Sequence, residues 1–158
     1  MNHTPQNPHL NSIINTIVEH PIYDRFLQLL RQYGISKIYD CHSHVSSGRN
    51  DIIKGASLEL VPEYPFSVRD TQYLYDQLFE SRGIETVSIV FDTPLPVYDM
   101  DQRNKELFED QDVISTNTRQ RIFPFAVITP DMNDAQIQMY LKMGARGFKI
   151  TPRTPSSQ

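Results

Sequence analysis

Apolar positions recur at helical spacing in Ile13, Ile14, Ile17 and Val18, and again in Ile22, Phe26, Leu29, Leu30 and Tyr33. That pattern predicts two consecutive helices sharing one core-facing apolar face. Pro21 between them suits the first position of a new helix, and Gly34 is a natural C-terminal stop. Ile35 to Cys41 then enters a strand. Ser67 and Asp70 stand as a capping pair before Thr71, Leu74, Tyr75 and Leu78, which fall on one helical face closed by Gly83. The β-branched, apolar run Thr86 to Phe91 reads as a strand covered on both sides. Residues 100–119 are polar with a thin stripe of Leu107, Phe108 and Ile114, predicting a surface helix. A strand over 122–128, a helix face of Ile137, Tyr140, Leu141 and Met143 closed by Gly144, and a short strand over 146–150 complete the series.

Helices alternating with strands near 37–42, 86–91, 122–128 and 146–150 predict an α/β fold with right-handed crossovers and a parallel sheet. The expected organisation is a mobile tail over 1–12, one domain over 13–152 and a C-terminal tail over 153–158. In parallel sheets the ligand site lies beyond the C-terminal strand ends. The polar groups there are His42, His44, Asp92, Asp131 and Lys149 with Thr151. Residues 46–66, rich in Gly, Ser and Pro, follow the histidines directly and form either a lid or pocket wall, or a disordered insertion.

Composition narrows the function. The net charge of -4 and the lack of a basic run disfavour nucleic-acid binding. No segment approaches the roughly 20 apolar residues of a membrane span, and the polar N-terminus lacks a signal-peptide core. A single cysteine, Cys41, excludes an intramolecular disulfide and suggests a reducing, cytoplasmic setting. Cys41 itself reads as a buried strand residue on the face opposite the histidines.

Asp40-Cys41-His42-Ser43-His44 carries the chemistry. Side chains two apart on a strand share a face, so His42 and His44 point together, and strict alternation adds Asp40 behind them. Neutral imidazole is the commonest metal ligand, which makes the pair a candidate half of a metal site. The plain alternative is two solvent-exposed histidines on a strand edge.

With these pieces in order, the chain resembles the N-terminal half of the amidohydrolase superfamily, in its amidohydrolase-related (type 2) branch of metal-dependent hydrolases and decarboxylases. The resemblance rests on Asp40-Cys41-His42-Ser43-His44, on Arg121-Ile122-Phe123-Pro124-Phe125-Ala126 and on Gly144-Ala145-Arg146-Gly147-Phe148-Lys149-Ile150. It implies part of a TIM barrel, here a half-barrel of about four strands, with a divalent metal (zinc, or manganese) and a small-molecule substrate. It assigns His42 and His44 as metal ligands, with Asp40, aligned by strand alternation, as a supporting residue behind them. Lys149 sits near a fourth-strand lysine that bridges two metals in some subgroups, and otherwise would neutralise a substrate carboxylate. By their place at strand ends, and not by the resemblance, Asp92 or Asp131 would supply a third ligand or a general base.

The family draws further histidines from its fifth and sixth strands and an aspartate from its eighth. The five histidines here are His3, His9, His20, His42 and His44, so none follows the first strand. A full barrel needs about 250 residues, against 158 here. The expectation is therefore a truncated metal-dependent hydrolase, completed by homodimerisation or by association through open sheet edges. The alternatives are a decarboxylase of the same branch and a non-catalytic half-barrel that binds a partner.

Overall fold

The computed structural model describes residues 7–46, 64–94, 99–109 and 120–151. Helices α1 (Leu10–Glu19) and α2 (Pro21–Gln32) lead into β1 (Lys37–Val45), followed by α3 (Val68–Leu78), β2 (Glu85–Asp92), α4 (Met100–Glu109), β3 (Gln120–Ile128), α5 (Asp134–Lys142) and β4 (Gly147–Ile150). All strand pairs are parallel, in the order β1-β2-β3-β4. The result is an α/β half-barrel flanked by helices. The candidate lid over 47–63, the second half of the helix expected over 100–119, and both chain ends lie outside the described residues. Among the described residues, no helix is long and apolar enough to cross a membrane.

The local signals act as their chemistry requires. The His20 ring nitrogen Nδ1 accepts the Ile22 N–H (3.2 Å) ahead of Pro21 at the first turn of α2. Ser67 and Asp70 form a reciprocal capping box on α3, and Asn133 and Gln136 form another on α5. Gly34, Gly83 and Gly144 all take positive φ where the helical segments end, a conformation that a Cβ would penalise.

Three expectations need correction. The N-terminal tail is ordered from Asn7 onward: its N–H donates to buried Asp70 Oδ1 (3.1 Å), its Nδ2 donates to Pro65 O (3.1 Å), and Leu10 is fully buried. Burying Leu10 removes an entire apolar side chain from water, worth about 2 kcal/mol, which an expected helix starting at Ile13 overlooked. α4 is embedded, not superficial, since Met100, Arg103, Asn104, Leu107 and Phe108 are all buried. β2 is covered on both sides only at its C-terminal end, where Phe91 is buried; on that face Val87 and Ile89 stay half-exposed.

That uneven cover defines the architecture. Val45, Val90 and Ile122 pack against Val68 of α3 and Leu107 of α4. Ala126 packs with Phe108 of α4 and Tyr140 of α5. The same face carries Thr86, Ser88 and Asp92, all buried. The opposite face carries Val87, Ile89, Phe123 and Phe125, which remain half-exposed, and towards the strand ends Phe91 and Val127, buried with Met100. It is the concave side that a closed barrel would turn inward.

β3 changes partner midway. Its register with β2 ends at Val90–Pro124, and its register with β4 begins at Phe125–Gly147. Proline has no N–H to donate, so it suits the end of a ladder. Beyond it, Asn104 of α4 takes the place of a strand: Val127 N–H donates to Asn104 Oδ1 (2.8 Å), and Asn104 Nδ2 donates to Val127 O (2.7 Å). Both groups are fully buried. Asn104→Ala should cost about 2–4 kcal/mol, because two buried backbone groups lose their partner, as read from the urea unfolding midpoint. Gly147→Ala should cost about 1–3 kcal/mol in the same assay, since a Cβ there meets the Phe125 ring at 2.4 Å.

Candidate metal centre on the open face

β1 is not a regular strand where it matters. Asp40 pairs with Ser88, and Ser43 pairs with Val90, so Cys41 and His42 together oppose Ile89 alone. This bulge shifts the alternation by one residue. Asp40 and Ser43 both face the helices, while His42 and His44 both face the open side. The expected alignment of Asp40 with the two imidazoles is therefore overturned. Cys41, expected to be buried, is exposed within the bulge.

A compact polar network holds the extra residue. Asp40 Oδ1 accepts the His42 backbone N–H (2.9 Å), and Oδ2 accepts the Ser43 hydroxyl (2.5 Å) and the Tyr75 phenol. Ser88 Oγ donates to Ser43 Oγ (3.1 Å). Burial pushes the Asp40 carboxyl up, but the hydrogen bonds from Ser43, Tyr75 and the His42 amide outweigh it and leave it below the usual carboxylate range. Burial, then the Asp40 hydrogen bond, raises the Tyr75 phenol, which stays protonated and donating. Asp40 thus supports His42 through its backbone rather than its ring.

On the open side the two imidazoles converge, with Nε2 atoms 3.0 Å apart. Two nitrogens bound at ~2.0–2.1 Å to one zinc lie ~2.9–3.4 Å apart for angles between right and tetrahedral. At 3.0 Å the pair matches the right-angle end of that range. The same contact is an N–H···N hydrogen bond when one ring carries the proton. Burial lowers the His44 pKa first, and the neighbouring charges of His42 and Lys149 lower it further, against a hydrogen bond to the Asp92 backbone carbonyl. The neutral, ligand-competent form is favoured.

Phe91 is the floor of this site. Its ring centroid lies 5.0 Å from that of His42 and 4.6 Å from that of His44, edge to face with both. Lys149 Nζ stands 4.9 Å from the same centroid, a cation–π distance. Phe91 belonged to an apolar strand run with nothing to mark it; only its register opposite His44 reveals its role. Of the remaining candidates, Asp131 is exposed in the turn after β3. Among the described residues, no three His, Cys, Asp or Glu side chains group as a metal site.

Asp92 points the other way. Its Oδ2 accepts Arg103 Nη2 (2.5 Å) on the helix-covered face, and Arg103 also pairs with Glu106. The ladder puts Asp92 opposite Val45, one residue out of phase with His44 and Phe91. Burial pushes its carboxyl up to about 6 despite the attraction of Arg103. The folded protein then holds this proton more tightly than the unfolded chain. The stabilisation is complete below the ordinary Asp pKa and is lost as pH rises through about 6. Asp92→Asn should remove this dependence, so the stability of wild type relative to the variant should fall between pH 4 and 6 in parallel denaturation series. Metal affinity at His42 and His44 should be unchanged by the same substitution, measured by titration calorimetry. Compared with known proteins, the chain matches no protein-family model, no curated protein and no solved structure.

Proposed function

We propose that the chain is a metal-dependent hydrolase of the amidohydrolase-related type, acting on a small-molecule substrate at the open face of the half-barrel. The observation that carries this reading is the 3.0 Å approach of His42 Nε2 and His44 Nε2 at the C-terminal end of β1. His42 and His44 would hold a divalent metal, with zinc favoured by imidazole donors and manganese the alternative. Such a metal supplies a bound water of lowered pKa and polarises a carbonyl.

The chain's own residues divide the remaining tasks. The Asp40 carboxylate fixes the backbone from which His42 projects, and partial burial with the nearby charges of His42 and Lys149 favours the neutral ring of His44. Phe91 excludes water beneath both rings. Lys149 offers a cation to a substrate carboxylate or to negative charge developing on a carbonyl oxygen. The acidic net charge supports a small substrate over nucleic acid. The single thiol, Cys41, is free and exposed, which supports a reducing, cytoplasmic setting.

A second reading is a non-catalytic half-barrel that binds a partner. It is favoured by the lack of a three-ligand group among the described residues, since catalytic zinc usually has three protein ligands. Zinc or manganese at about a hundred times its Kd should stabilise the wild-type protein by about 2.7 kcal/mol, and the His42→Ala/His44→Ala variant not at all. Thermal melts with and without metal, beside metal-dependent ester or amide hydrolysis, check this. Stabilisation with turnover supports the hydrolase. Equal melting of both proteins, with no metal retained, overturns it and leaves the partner-binding module.

A further inference from the structure

α2 carries two apolar stripes, and the described chain covers only one. Tyr23, Leu27 and Leu30 are buried in the cluster shared with α1 and α3. Ile22, Phe26, Leu29 and Tyr33 lie about 100° around the helix and face outward. Ile22 and Tyr33 are 68% and 69% exposed, and Phe26 and Leu29 are 40% and 42% exposed. Beside the N-terminal half of this outer stripe is an apolar cavity of about 420 Å³, walled by Ile17, Ile22, Phe26 and Phe79 and edged by Thr16 and His20. The same helix thus carries a hole at one end and the prominent Tyr33 ring at the other, separated by ~16 Å along its axis.

The spacing of the outer stripe is four, three, four, which reads the same in both directions. An antiparallel second copy of α2 would therefore match it residue for residue: Ile22 against Tyr33, and Phe26 against Leu29. We propose that this face is the two-fold interface of a homodimer in which α2 packs antiparallel on α2 of the second copy, each Tyr33 ring entering the other copy's cavity. This inference is independent of the metal site, which lies on the open face of the sheet.

Two features favour a second copy running antiparallel. Knob and hole belong to one helix, so a single two-fold axis satisfies both of them twice. The phenol of Tyr33 would arrive at Thr16, whose hydroxyl donates to Ser12 O (2.9 Å) and retains capacity to accept. The four outer side chains alone leave roughly 400 Å² exposed per copy, about half of what each partner buries in a standard interface. The cavity walls and exposed Ile13 add to that area.

Sedimentation of the full chain over a dilution series tests the proposal. The wild type should sediment as a dimer. Leu29→Glu should raise the dimer dissociation constant about a hundredfold or more, with the circular dichroism of the monomer unchanged because position 29 is already exposed. Thr16→Phe, which fills the hole, and Tyr33→Ala, which removes the knob, should each be monomeric alone. Mixed together they should form heterodimers, since one intact Tyr33 then meets one open cavity. A wild type that stays monomeric throughout overturns the proposal and leaves the face to a helix of another protein. A dimer that survives Leu29→Glu, or a mixture that gains nothing, overturns it equally.

Discussion

The Asp40 carboxylate accepts three hydrogen bonds, from the His42 amide, the Ser43 hydroxyl and the Tyr75 phenol, and the geometry of the candidate site depends on them. They hold an extra residue in β1 exactly where the ladder with β2 passes from Ser88 to Val90. Without the bulge, Asp40 would share a face with the imidazoles, as strict alternation demands. With it, the carboxylate is drawn into a polar niche under α3, and the histidines are left on the other side over Phe91. Each of these hydrogen bonds contributes only about 1–3 kcal/mol because one member is charged. Together they decide which atoms meet a ligand.

The same sidedness runs through the whole sheet. Helices α3, α4 and α5 bury one face, and the residues of that face serve structure, including Asp92 in its ion pair with Arg103. The other face is half-covered and gathers His42, His44, Phe91 and Lys149. A strand-end carboxylate and a strand-end imidazole one position apart in register thus have unrelated roles. The chemistry of the proposed hydrolase follows from what the open face contains: two convergent imidazoles, an aromatic floor and a cation.

α2 shows the same logic at the level of a helix. Its buried stripe closes the cluster around Leu10, Ile14, Leu78 and Ile84, and a second stripe of equal apolarity remains in water. An exposed apolar patch of this extent is often functional. Its palindromic spacing and its own cavity make self-association the natural way to cover it, at a distance from the face that bears the imidazoles.

By itself the sequence determined the order of helices and strands, the stops at Gly34, Gly83 and Gly144, and the shared orientation of His42 and His44. These are local properties: a positive φ, a capping hydroxyl and a two-residue repeat act within a few positions of themselves. Tertiary structure alone decided the side taken by Asp40 and Asp92, the exposure of Cys41, the place of Phe91 beneath the rings and the stripe of α2 left outside. The bulge requires Tyr75, 35 residues along the chain, and Ser88 on the neighbouring strand. Ile22, Phe26, Leu29 and Leu30 were equally apolar candidates for the core, and only the arrival of α1 and α3 on one side of the helix buried Leu30 and left the other three in contact with water. Periodicity specifies faces, and the contacts made across the fold specify which face is used.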